Sequence, residues 1–175
     1  MSENIVVLSG SPRKGANSDT LVSAFVDGAE SAGKKVTVFR TADMKIGGCR
    51  GCGHCFEEPG VCVQKDDMPQ ILDALKTADA LVLASPVYFW GVTAQLKLAI
   101  DRTYALLRTE RATKRAALLL TCGSRVGASV LMFENMCEFS KWENAGVIIE
   151  AGLRDTDAIK GREVLDKAGA LGREI

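Results

Sequence analysis

The chain has 175 residues, 47% of them hydrophobic, with 22 basic side chains balancing 22 acidic ones. That length and apolar content suit one ordinary globular domain with a substantial core. The neutral balance leaves no global field to recruit nucleic acid or an anionic membrane, and no apolar run approaches the roughly 18 residues needed to span a bilayer. The first residues lead into an apolar strand without the basic-then-apolar layout of a signal peptide. A cytoplasmic location is therefore expected, where crowded cysteines signal metal or redox chemistry more often than disulfides.

Short apolar runs alternate with amphipathic stretches along the chain. Ile5-Val6-Val7-Leu8 reads as a buried strand, and Leu21, Val22, Phe25, Val26 and Ala29 repeat at helical spacing up to Gly33. Val36-Thr37-Val38-Phe39 is the second strand. A second helical stripe follows at Met68, Ile71, Leu72 and Leu75, with Asp66 or Asp67 as N-cap and Pro69 in the first turn. Ala80 to Ala84 is the third strand, and Leu96, Ala99, Ile100, Thr103, Leu106 and Leu107 form one helix. Ala116 to Leu120 is the fourth strand, leading to a less regular helix over Ser129 to Trp142. Val147-Ile148-Ile149 is the fifth, and Val164, Leu165, Ala168 and Leu171 mark the last helix.

Continuous apolar runs, rather than strict alternation, suit parallel strands covered on both faces. Five such βα units predict an α/β fold: a flavodoxin-like, doubly wound, five-stranded parallel sheet of order 2-1-3-4-5, or a Rossmann relative. Residues 1–175 read as a single domain with one interruption. About 25 residues, Arg40 to Lys65, separate the second strand from its helix, well beyond the usual two to six. A cysteine-rich insertion at about 45–65 fills that gap.

Three loops at strand ends carry chemistry. After the first strand comes Ser9-Gly10-Ser11-Pro12-Arg13-Lys14-Gly15-Ala16-Asn17-Ser18, which opens a helix. Hydroxyls, glycines and two cations at a helix N-terminus suit a phosphate; the run is neither G-x-G-x-x-G nor the Walker pattern. After the third strand comes Ser85-Pro86-Val87-Tyr88-Phe89-Trp90-Gly91. Its three successive aromatics cannot all face the core, so they cover a flat ligand or form a partner interface. In the 2-1-3-4-5 order the crevice opens between strands 1 and 3, which favours one mononucleotide spanning both loops. Thr121-Cys122-Gly123-Ser124, after the fourth strand, borders the same crevice. Cys122 also fits as a small apolar filler, and Cys137 belongs to the core.

The insertion holds Cys49, Cys52, Cys55 and Cys62, spaced C-x2-C-x2-C-x6-C, with small residues between the thiols. So dense a run lets four sulfurs converge on one point, as iron–sulfur clusters and tetrahedral zinc both require. Free thiols or a disulfide are the plainer alternatives. His54 reads as a loop side chain, since four thiolates already complete a ligand set.

Together, Gly10 to Ser18, Ser85 to Gly91, and Gln95-Leu96-Lys97 through Ile100-Asp101-Arg102 resemble the NAD(P)H-dependent FMN reductase family, and the cysteine insertion resembles its iron–sulfur flavoprotein branch. The resemblance runs from about Ile5 to Gly172. It implies an FMN-dependent oxidoreductase in which Ser9, Ser11, Arg13, Asn17 and Ser18 hold the FMN phosphate. Pro86, Val87, Tyr88, Phe89, Trp90 and Gly91, with Cys122 and Gly123, would hold the isoalloxazine ring, largely through main-chain groups. Cys49, Cys52, Cys55 and Cys62 would ligate a [4Fe-4S] cluster. The same resemblance implies a homodimer or homotetramer, NAD(P)H as donor, and a small-molecule or protein acceptor. Two other readings stand beside it: a non-enzymatic carrier taking electrons from a ferredoxin-like partner, and a zinc-stabilised interaction module without flavin. No catalytic acid or base stands out.

Overall fold

A computed structural model describes residues 3–109 and 113–175. Its sheet runs in the order β2 (Lys35–Arg40), β1 (Asn4–Ser9), β3 (Ala80–Tyr88), β5 (Arg115–Thr121), β6 (Glu143–Glu150), with every neighbour parallel. This is the expected flavodoxin-like order. The one addition is β4 (Gly91–Val92), which turns back antiparallel against the end of β3 and makes the strand count six.

The reason these segments form the sheet lies in their burial. β1, β3 and β5 are central, and their apolar runs are almost wholly shielded, whereas the edge strands β2 and β6 are partly exposed. Alternate residues feed two cores. Val6, Leu8, Leu81, Leu83, Leu118 and Leu120 meet α3 (Met68–Lys76), α4 (Ala94–Arg102) and α5 (Ser129–Ser140) on one face. Ile5, Val7, Val82, Ala84, Ala117 and Leu119 meet α1 (Asn17–Ser31) and α6 (Val164–Glu174) on the other. Period-two side-chain alternation thus serves two helical layers at once.

Several boundaries differ from the sequence expectation. β3 continues to Tyr88, and Phe89 and Trp90 turn the chain with φ of 50° and 65°. Positive φ at both central residues is the requirement of a tight two-residue hairpin, and bulky side chains rarely accept it. The helix expected to reach Leu107 stops at Arg102 and tightens into a 3₁₀ turn over Thr103–Leu106. The helix expected to reach Trp142 ends at Ser140, with Lys141 left-handed at φ 56°. Asp67 occupies the N-cap position of α3 without a side-chain cap bond; Asp66 Oδ1 instead accepts from the Met68 amide at 3.2 Å.

The insertion between β2 and α3 contains only a 3₁₀ turn (Thr41–Asp43) and the single-turn α2 (His54–Glu57). Its base is clasped by two reciprocal bonds: Lys45 N donates to Asp67 Oδ2 at 2.7 Å, and Asp67 N donates to Lys45 O at 3.0 Å. Its far end is pinned to the 3₁₀ turn after α4. Gly60 N donates to Ala105 O at 2.8 Å, and the Phe56 ring lies edge-on to Tyr104 and 4.3 Å under the Arg108 guanidinium.

α1 and α6 touch through glycine. A Cβ on Gly28 would lie 2.1 Å from Gly169 O, and one on Gly172 would lie 2.2 Å from Phe25 O. Gly28→Ala or Gly172→Ala must force the helices apart, at a cost of about 1–3 kcal/mol. The expected readout is a lower urea midpoint with an unchanged slope; an unmoved midpoint in both variants would show that the two helices pack more loosely than this.

Candidate functional site

Two cavities hold most of the residues singled out in the sequence. The first lies at the carboxyl ends of β1, β3 and β5. Register places Ser9 beside Ala84, and Gly10 N donates to Ala84 O at 2.8 Å, so the loops after β1 and β3 start side by side. A cavity of about 100 Å³ there is lined by Ser11, Arg13, Asn17 and Ser18 from the first loop, with Pro86, Val87 and Tyr88 from the second. Cys122 and Gly123 line it from the third loop. Thr121, Leu153 and Thr156 complete the wall; the last two follow β6, in a segment with no regular pattern to announce them.

The floor of this cavity is polar and fixed. Ser18 Oγ and Thr121 Oγ1 share a hydrogen bond of 2.6 Å, which ties α1 to β5. Ser11 Oγ accepts from Arg13 N at 3.3 Å and donates to Arg13 O at 3.0 Å, folding the loop on itself. Asn17 donates through Nδ2 to Asp155 O at 2.7 Å and accepts from Ile159 N at 3.1 Å, so its amide binds the segment after β6 to the start of α1. Ala16 stands at the N-cap of α1 and offers no side-chain oxygen to the first-turn amides. Uncapped amides at a helix N-terminus are donors for an anion.

Four of the candidate cofactor residues lie outside the cavity lining. Ser9 is buried, and its Oγ has no hydrogen-bond partner among the described residues. Phe89, Trp90 and Gly91 form the adjoining hairpin, where Phe89 is 93% and Trp90 58% exposed. Trp90 O accepts from Ala128 N at 2.9 Å, which seats the hairpin against the start of α5.

The second cavity, of about 360 Å³, lies inside the insertion, and Cys49, Cys52, Cys55 and Cys62 all line it. His54, Asp101, Arg102 and Tyr104 share its wall. All four thiols are free. Among the described residues no three Cys, His, Asp or Glu side chains are grouped as they would be around one metal ion.

Arg102 has a role that its place in the Ile100-Asp101-Arg102 motif does not announce. It ends α4, is 2% exposed, and falls three residues after Ala99 on the buried stripe. Its NH1 binds Asp66 Oδ2 and donates to Gly47 O at 3.2 Å, while its NH2 donates to Cys62 Sγ at 3.3 Å. Burial alone would weaken its charge, but the bonds to Asp66 and Cys62 outweigh burial and hold its pKa above the usual value. For Asp66, burial pushes upward, and Arg102 with the Gly47 and Met68 amides more than reverses it, so the carboxyl stays below its ordinary range.

With this geometry in view, comparison with known proteins is decisive. Residues 4–149 match the family model described as NADPH-dependent FMN reductase. An iron–sulfur flavoprotein of Archaeoglobus fulgidus is 33% identical over 95% of this chain and 76% of its own length. The chain belongs to the NADPH-dependent FMN reductase family, in its iron–sulfur flavoprotein branch. It is accordingly an FMN-dependent oxidoreductase. An iron–sulfur flavoprotein of Methanosarcina thermophila is 35% identical over 70% of this chain, an alignment that spans 65% of that protein. In fold, the chain is similar to the NAD(P)H:quinone oxidoreductase of Methanothermobacter marburgensis, at a TM-score of 0.72, 18% identity and coverage of 99% and 96% of the two chains. No helix among the described residues is long and apolar enough to cross a membrane.

The thiols should differ in reactivity. Burial raises the pKa of Cys122 and of Cys137, which lowers the thiolate fraction that an alkylating agent attacks. Cys49 and Cys52 are exposed. In metal-free protein under native conditions, iodoacetamide is expected to label Cys49 and Cys52 first and Cys122 and Cys137 last, read by peptide mass spectrometry. Equal rates for Cys49 and Cys122 would contradict the burial described for the third loop.

Proposed function

We propose that this protein takes electrons from NAD(P)H and passes them on to an acceptor, using an FMN held in the crevice at the β1, β3 and β5 ends and a [4Fe-4S] cluster held by Cys49, Cys52, Cys55 and Cys62. The observation that carries the cluster is that these four thiols line one cavity. Four thiolates complete the ligand set of a cluster, and relatives named iron–sulfur flavoproteins favour iron over zinc. Arg102 adds a donor aimed at one of the sulfurs.

The flavin crevice fits a phosphate at its inner end. Its small volume, the hydroxyls of Ser11 and Ser18, the Arg13 cation and the uncapped first turn of α1 all favour an anion there. The ring would lie across the rim, over Pro86, Val87 and Tyr88 and beside Cys122 and Gly123. Gly91, Phe89 and Trp90 would edge it from the hairpin, and Ser9, buried below, would support the loop rather than touch the ligand. When bound, FMN supplies hydride and single-electron chemistry. The chain's own part is to anchor the phosphate, orient the ring and shield one face.

Exposed Phe89, Trp90, Leu131 and Phe139 lie on the hairpin and on the outer side of α5. This apolar surface supports self-association into a homodimer or homotetramer. Six free cysteines agree with a cytoplasmic, reducing setting. Exposure of Cys49 and Cys52 at the mouth of the second cavity favours a protein acceptor or a ferredoxin-like donor alongside small molecules.

The test is to measure FMN affinity and iron content on anaerobically purified wild type, Arg13→Ala and Cys55→Ala. Wild type is expected to bind FMN with about four irons per chain. Arg13→Ala should bind FMN about tenfold or more weakly with its iron intact, as the loss of a charge-assisted hydrogen bond implies. Cys55→Ala should lose iron and keep FMN. Wild type that takes up no iron even with iron and sulfide supplied anaerobically, or FMN binding untouched by Arg13→Ala, would overturn the corresponding half of the proposal.

A further inference from the structure

A buried arginine is expensive unless its charge is matched and its donors are used. Arg102 is matched by Asp66, yet the pair does not close on itself. NH2 turns to Cys62 Sγ at 3.3 Å, and Nε is left buried with no acceptor among the described residues. A guanidinium serving only to pair with a carboxylate favours a two-pronged contact. Here one prong is diverted to a thiol.

The backbone around it makes that diversion durable. Arg102 NH1 also holds Gly47 O at 3.2 Å, two residues before Cys49. Asp66 Oδ2 accepts from Gly47 N at 2.9 Å and Asp66 Oδ1 from Met68 N at 3.2 Å. The carboxylate and guanidinium therefore fasten both strands of the insertion, one leading to Cys49 and one leaving Cys62. Neither can swing away without releasing a backbone group.

We propose that Arg102 is a positioning residue for the four-thiolate site, setting the place of Cys62 and raising the reduction potential of the cluster, with Asp66 opposing that rise. This rests on the cluster reading above. Reduction adds negative charge to the cluster, and a hydrogen bond from a cation to a ligand sulfur stabilises the reduced form more than the oxidised form. A carboxylate behind the cation acts in the opposite sense. The two residues should thus move the potential in opposite directions, although both brace the same loop.

The experiment is an anaerobic potentiometric titration of the cluster, followed by electron paramagnetic resonance, on wild type, Arg102→Gln, Arg102→Lys and Asp66→Asn, with iron assayed on each sample. At a fixed ambient potential, Arg102→Gln is expected to lower the ratio of reduced to oxidised cluster about tenfold, or ~59 mV for a one-electron couple. Asp66→Asn is expected to raise the ratio, and Arg102→Lys to fall between wild type and Arg102→Gln. Unchanged potentials, or shifts of the same sign in Arg102→Gln and Asp66→Asn, would overturn the proposal in favour of a purely structural pair. If Arg102→Gln does not fold, Asp66→Asn decides: a rise supports the proposal, and no change or a fall overturns it. Wild type without iron would overturn the cluster reading itself, a failure the iron assay separates from the others.

Discussion

The buried hydroxyl of Thr93 joins the segments on which both cavities depend. Thr93 is fully shielded, and its Oγ1 donates to Gly10 O at 2.7 Å while accepting from Leu96 N at 3.3 Å. Its amide donates to Ser85 Oγ at 3.0 Å. One residue thereby fixes the loop after β1 to the end of β3 and caps α4. Gly10 is required at that junction, since a Cβ there would lie 2.6 Å from both Leu96 Cβ and Thr93 Oγ1. From this point α4 extends nine residues to Arg102, about 13 Å at the helical rise. The helix that Thr93 caps beside the loop after β1 therefore delivers a guanidinium to the cysteine cavity.

The insertion is held by protein contacts at three places. The Lys45–Asp67 backbone clasp closes its base, Arg102 and Asp66 tie Gly47, and Phe56 lies between Tyr104 and Arg108. Gln64 Nε2 adds a bond to Gly48 O at 3.0 Å. The insertion's long closure is offset by bonds at its base, and the four thiols line one cavity. The contrast with the cavity at the β1, β3 and β5 ends is one of chemistry: hydroxyls and helix amides there, thiols and one buried cation here.

Much of this was legible in the sequence because it depends on local pattern. Runs such as Leu81-Val82-Leu83 and Leu118-Leu119-Leu120 are apolar at every position, as central parallel strands must be, and they gave the sheet and its order. The cysteine spacing and the hydroxyl-rich loop before α1 likewise carry their chemistry within a few residues. What escaped the reading depends on distant partners. Nothing local predicts that Phe89 and Trp90 turn a hairpin at positive φ, a conformation fixed by the seat of Trp90 O on Ala128. The Asp101-Arg102 pair carries no local sign of a buried charge, because Asp66, which makes Arg102 burial tolerable, lies 36 residues away. Leu153 and Thr156 reach the crevice only because Asn17 holds the segment that follows β6.

The most direct test of the two-site account is a crystal structure of anaerobically prepared holoprotein with anomalous diffraction recorded at the iron edge. The account predicts iron density enclosed by Cys49, Cys52, Cys55 and Cys62, with FMN electron density whose phosphate meets Ser11, Arg13 and the start of α1. Iron density elsewhere, a lone metal at the centre of the four thiols, or a flavin outside the β1/β3 crevice would contradict it.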